Sequence, residues 1–65
     1  MLRLKVKKKL LENQFSGKVP ANMTQLAAAV GISPKHLYFL LDHGRPQDID
    51  RIAKGLGISK DQLSP

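Results

Sequence analysis

Ser33, Lys35, His36, Tyr38, Phe39, Asp42 and His43 bring hydroxyl, amine, imidazole, aromatic and carboxylate groups into one short stretch. Nucleophilic catalysis by Ser33 would need a base and a group to orient that base. Ser33 is followed directly by Pro34 and reads instead as the cap of a helix. His36 and His43 lie about two helical turns apart and roughly share a face. No cysteine and no spaced carboxylate set completes a metal site with them. The expectation is therefore no catalytic residue, no metal, no cofactor and no small-molecule ligand. Lys35, Tyr38 and Phe39 are groups that bind rather than react, so recognition is the chemistry this stretch offers.

Those side chains need helices to carry them. Leu2, Val6 and Leu10, with Leu11 beside them, form a helical stripe over about Leu2 to Asn13, although Leu2, Leu4 and Val6 also alternate as in a strand. Gln14 to Ala21 reads as a long loop, with Phe15 and Val19 folding back onto the core. Asn22 caps a second helix, and Gln25 completes a capping box. Leu26, Ala27 and Val30 are the apolar face of that helix, and Gly31 ends it. Ile32 follows as a buried pivot, and Ser33 caps a third helix from Pro34 to about Asp42 that turns Leu37, Leu40 and Leu41 inward. After the turn His43-Gly44-Arg45-Pro46, a fourth helix from about Gln47 to Leu56 buries Ile49, Ile52, Ala53 and Leu56. Gly57 and Ile58 suit a Schellman ending, and Ser59 to Gln62 is a second capping box leading to Leu63. The pattern predicts a single all-α domain over residues 1–65: a basic first helix and loop over 1–21, then a helix-turn-helix at about 22–42 with supporting helices to 63.

The chain has 65 residues, 42% of them hydrophobic, and a net charge of +6. That hydrophobic share suits a globular chain rather than a disordered one. No apolar run reaches the roughly 20 residues of a membrane span, and charges interrupt Leu2-Arg3-Leu4-Lys5-Val6 before a signal peptide could form. A cytoplasmic, nucleoid-associated protein is expected. Residues 1–20 carry Arg3, Lys5, Lys7, Lys8, Lys9 and Lys18 against Glu12 alone, so most of the excess charge lies there. Residues 21–65 are nearly balanced. The basic segment reads as a solvated helix face or as a phosphate-contacting one. A membrane-surface helix is disfavoured because the stripe lacks Trp or Phe anchors.

Two short helices joined by a glycine-containing turn, in a small basic chain, make a helix-turn-helix arrangement. Ala27 is the small residue where the two helices cross, and Gly31 supplies the turn. Leu26-Ala-Ala-Ala-Val-Gly-Ile-Ser33, Leu37, Leu40 and Ile52-Ala-Lys-Gly-Leu-Gly-Ile-Ser59 together resemble the lambda-repressor-like family of Cro and phage-repressor type, also called the xenobiotic-response-element family. The resemblance covers about residues 22–63 and, more loosely, the first helix. It implies a compact four- to five-helix domain that binds operator double-stranded DNA, usually as a homodimer, and regulates transcription, here as a repressor. The third helix would lie in the major groove. The chain departs from the family pattern at Met23, where the family usually has Gln. It departs again in the long loop, and in Gly44, which comes one residue late.

At about 100° per residue, with Leu37, Leu40 and Leu41 inward, Lys35, Phe39 and Asp42 point outward, and His36 and Tyr38 lie on the flanks. The base-contacting positions implied by the resemblance are Pro34, Lys35, Tyr38 and Phe39. Lys35 can donate to guanine O6 and N7 or to phosphate, and Tyr38 to phosphate or a base edge. Phe39 meets either a thymine methyl or a protein surface, on the first helix or a dimer partner. Pro34 offers van der Waals contact only. DNA backbone contact is expected from Asn22, Gln25, Ser33, His36, Arg45, Lys18, Lys7 and Lys8. Asp42 would repel phosphate unless Arg45 pairs with it or it caps the helix exit. The competing reading is a protein-interaction module on the same scaffold, an antitoxin or adaptor binding an acidic partner.

Overall fold

A computed structural model describes residues 2–63. Four α-helices and one 3-10 turn follow in order: α1 (Leu2–Ser16), α2 (Met23–Val30), α3 (Pro34–His43), α4 (Pro46–Leu56) and the turn Lys60–Gln62. Among the described residues there is no strand. The Leu2, Leu4, Val6 alternation is taken up in α1, where Val6 and Leu10 are buried and Leu2 is half-buried.

Helix α1 continues to Ser16, past the expected end at Asn13, and stops where Gly17 takes φ +70°. Asn13 occupies the inward position of this last turn and is itself buried. Its side-chain Nδ2 donates to the Pro20 carbonyl at 2.9 Å, and its own carbonyl accepts from Lys18 N at 2.8 Å. These bonds turn the chain back toward α2. Phe15 follows Asn13 by about 200° around the helix and so points outward. Phe15 is 88% and Val19 77% exposed. The expectation that both return to the core is overturned, because Asn13 and Pro20 fill the inward positions in their place. Leu11 is also exposed.

Asn22 caps α2, its Oδ1 accepting from Gln25 N at 2.8 Å. Gln25 returns a bond through Oε1, but to Ala21 N at 2.7 Å, one residue before the cap. Gly31 closes the helix at φ +87°, donating to the Ala27 and Ala28 carbonyls, while Ile32 N also reaches Ala27 O. Ile32 is half-buried rather than wholly enclosed. Ser33 Oγ accepts from His36 N at 3.1 Å, with Pro34 opening α3. The link between α2 and α3 is thus Gly31, Ile32 and Ser33, each held by its own backbone bonds.

Helix α4 begins at Pro46, one residue before the expected start. Asp48, buried in its first turn, accepts from Arg45 N at 3.1 Å. A carboxylate there satisfies an orphan donor and complements the positive end of the helix. Gly44 precedes this turn because a Cβ at position 44 would run into the Leu40 carbonyl oxygen. Gly57 (φ +76°) and the Ile58 N to Ala53 O bond of 3.0 Å complete the expected Schellman ending. The expected capping box at Ser59 does not form; Ser59 makes no side-chain cap bond, and a 3-10 turn carries Leu63 into the core.

Leu26, Leu37, Ile52 and Val6 are the large side chains fully out of water, and each contributes on the order of 1.5–3 kcal/mol by burial. One comes from each helix, so no helix can leave without opening the same core. Helices α2 and α4 come close together at Gly55. A Cβ there would lie 2.8 Å from Val30 Cγ2 and 3.3 Å from Leu26 Cδ1. No helix of the described residues is long and apolar enough to cross a membrane.

Candidate nucleic-acid interface

The buried row Leu37, Leu40 and Leu41 fixes the rotation of α3 and turns its other faces to solvent. Pro34, Lys35, His36, Tyr38 and Phe39 are all exposed on this one helix. By the helical period Lys35 lies centrally, with two kinds of surface on either side of it.

On one side His36, Phe39 and His43 form an aromatic row. The Phe39 ring lies 5.0 Å from His43 and 6.5 Å from His36, centroid to centroid. Phe39 thus makes its ring contacts within its own helix, and 58% of it stays accessible.

On the other side Tyr38 and Asp42 are held by Arg3, which reaches across from the first turn of α1. The Arg3 guanidinium donates to Asp42 Oδ2 at 2.7 Å, and its central carbon sits 5.0 Å from the centre of the Tyr38 ring. A cation over an aromatic face is attracted by the ring quadrupole. The acid on the outward face of α3 therefore carries its own counter-charge. Arg45, one of the two ways expected to offset Asp42, instead places its Nε 4.0 Å from Asp48 Oδ2.

The remaining predicted residues divide into two groups. Asn22 and Gln25 stand at the start of α2 and Ser33 at the start of α3. Their side-chain oxygens are engaged in capping, which leaves the Asn22 and Gln25 amide N–H groups and the Ser33 hydroxyl proton free to donate outward. Arg45 is exposed in the turn after α3. Ser33 opens the helix that carries Lys35, and Arg45 follows its end. Lys8 projects from the side of α1 opposite Val6, Leu10 and Asn13, whereas Lys7 lies on the same flank as Arg3 and lines an open hollow together with Asn22 and Met23. Lys18 sits in the loop between α1 and α2, exposed, with its backbone tied to Asn13.

Two residues escaped the sequence reading. Arg3 appeared only as part of a basic segment. Its position one turn before Val6 places it at the edge of the buried stripe, and an outward Asp42 calls for a nearby cation; together these were the available signal. Asp48 entered only as one charge of the nearly balanced residues 21–65, although an acid two residues after Pro46, at the third position of a helix, is a helix-start signature.

Among the described residues no group of three or more His, Cys, Asp or Glu could hold a metal ion. No protein-family model matches the chain, and no curated protein and no solved structure matches it.

Proposed function

We propose that this chain is a lambda-repressor-like helix-turn-helix domain that binds double-stranded DNA sequence-specifically and acts in the cytoplasm as a transcriptional repressor. Helix α3 enters the major groove. Lys35 donates to guanine or phosphate, Tyr38 to a base edge or phosphate, and Phe39 covers a thymine methyl, while Pro34 makes apolar contact. Asn22, Gln25, Ser33, His36 and Arg45 hold the flanking phosphates, with Lys18 at the edge. Lys7, which lines a hollow with Asn22, stands at the flank of this set, and Lys8 drops out of it because it lies on the side of α1 opposite the buried row. A domain this small makes a small interface, so a homodimer on a two-fold-symmetric site is the working form.

The observation that carries this reading is the pairing of Asp42 with Arg3. It removes the one unfavourable charge from the face that Lys35 presents. Selection of bound duplexes from a random pool tests the proposal and returns the site, its symmetry and the half-site spacing together. With about six phosphates contacted, log K should fall with log salt at a slope of about −5. Lys35→Ala should weaken binding and relax preference at a single position, by about 1–3 kcal/mol of discrimination. No enriched sequence, or affinity indifferent to salt, would overturn it.

A second reading, an antitoxin-like or adaptor-like protein-interaction module, rests on Phe39. A ring that is 58% exposed between two imidazoles is also a fair contact for a protein surface. In that case Phe39→Ala abolishes a protein complex while Lys35→Ala leaves it unchanged.

A further inference from the structure

Helix α1 carries a second apolar row that the fold does not use. At about 100° per residue, Leu11 and Phe15 fall within roughly 20° of Leu4, opposite Val6, Leu10 and Asn13. Leu4 is 63%, Leu11 53% and Phe15 88% exposed. A row of large apolar side chains along one helix face marks an interaction surface more often than a solvated one. This face is distinct from the α3 surface described above and borders its predicted contacts only where Lys7 and Asn22 line the same hollow.

Three features specify the occupant. First, Lys7 and Lys8 straddle the row, at roughly 60° and 40° to either side of Leu4. Helix α1 holds Arg3, Lys5, Lys7, Lys8 and Lys9 against Glu12 alone. A second copy laid on this face would press two strongly basic helices together, and like charges in contact disfavour that pairing. Second, Leu4, Lys8, Leu11 and Phe15 follow the alternating four- and three-residue steps of a helix-packing seam, with one lysine inside it. Removing that ammonium from water calls for a facing carboxylate. Third, beside the row lies an open hollow of about 290 Å³ whose lining includes Lys7, Leu10, Leu11, Ala21 and Met23. A helix side chain can fill such a depression, whereas a flat bilayer surface spans it.

We propose that the outer face of α1 docks an acidic amphipathic helix of another protein. The partner's apolar row lies along Leu4, Leu11 and Phe15, one of its side chains enters the hollow next to Leu11, and its flanking carboxylates meet Lys7 and Lys8.

The probe is a fluorescein-labelled peptide with Leu at the two seam positions of each heptad and Glu at the flanking positions, so that it repels itself. Fluorescence anisotropy with the full chain at moderate salt reads binding. The expected Kd is on the order of 10–100 μM, with the scrambled peptide not binding. Leu11→Ser with Phe15→Ser should weaken binding by about tenfold or more. Phe15 is almost wholly in water and Leu11 more than half, so the variant should stay folded with a small loss of Tm, and Phe15→Ser alone should melt with the parent and still weaken binding. Lys7→Glu with Lys8→Glu should abolish binding and transfer preference to the same peptide with Lys in place of Glu. Lys35→Ala should leave binding unchanged. Equal binding of the scrambled peptide overturns the proposal. So does binding only to phosphatidylglycerol vesicles, or a sedimentation dimer that dissolves on Phe15→Ser, and so does no binding at all.

Discussion

Replacing Arg3 with alanine removes a cation that touches two residues of α3 and leaves Asp42 facing outward alone. The ion pair is short, at 2.7 Å, but its side chains are 34% and 48% exposed. Solvent screening limits such a pair to about 0.2–1 kcal/mol. The Tyr38 contact at 5.0 Å contributes about 0.5–1 kcal/mol at an exposed site. Arg3→Ala should therefore destabilise the domain by about 1 kcal/mol, which lowers Tm by about 4–8 °C in a chain of this size. If the chain binds DNA as proposed, the effect on affinity should come through Asp42, whose uncompensated carboxylate then repels phosphate. Asp42→Asn in the Arg3→Ala background should recover most of the lost affinity, while Asp42→Asn alone should change it little. Thermal melts and duplex titrations of the four proteins make a double-mutant cycle on both quantities. If the affinity losses add, with no recovery on Asp42→Asn, Arg3 acts on the DNA directly and the counter-charge argument is refuted. If the melts are unchanged as well, the contact contributes nothing to the fold.

Three further substitutions test the scaffold. Leu37→Ala empties a position with no solvent exposure and should cost about 2–5 kcal/mol, enough to unfold much of a small domain at room temperature by circular dichroism. Gly55→Ala gains about 1 kcal/mol of helix propensity but pushes a methyl against Val30 and Leu26. Val30 is β-branched and cannot swing aside freely, so the net effect should be a loss of about 1 kcal/mol in urea denaturation. Asp48→Ala strips the acceptor from Arg45 N and the negative charge from the start of α4, for a loss of about 1 kcal/mol by the same measurement.

Much of this architecture is written in local chemistry. Gly31, Ser33 and Pro34 stop one helix and start the next because a left-handed turn and a side-chain cap depend only on near neighbours, and the structure has all three in those roles. Leu37, Leu40 and Leu41 mark the inward side of α3 by periodicity, which simultaneously places Lys35, Tyr38 and Phe39 on its outer surface. The rotation of α1 was also legible from Val6 and Leu10.

Contacts between distant parts of the chain were not. Phe15 is as apolar as any core residue, and nothing nearby in sequence says that buried Asn13 and Pro20 will occupy the inward positions beside it. Asp42 looks unopposed until α1 packs against α3 and carries Arg3 over Tyr38, across a separation that no local pattern spans. Gly55 reads as a weak spot in a helix until Val30 and Leu26 of α2 are seen against it. Caps, turns and helical faces depend on interactions a few residues apart, so the sequence alone determined them. Which outward groups meet a partner depends on how the helices dock, and only the tertiary structure decided that Asp42 is neutralised and Phe15 left bare.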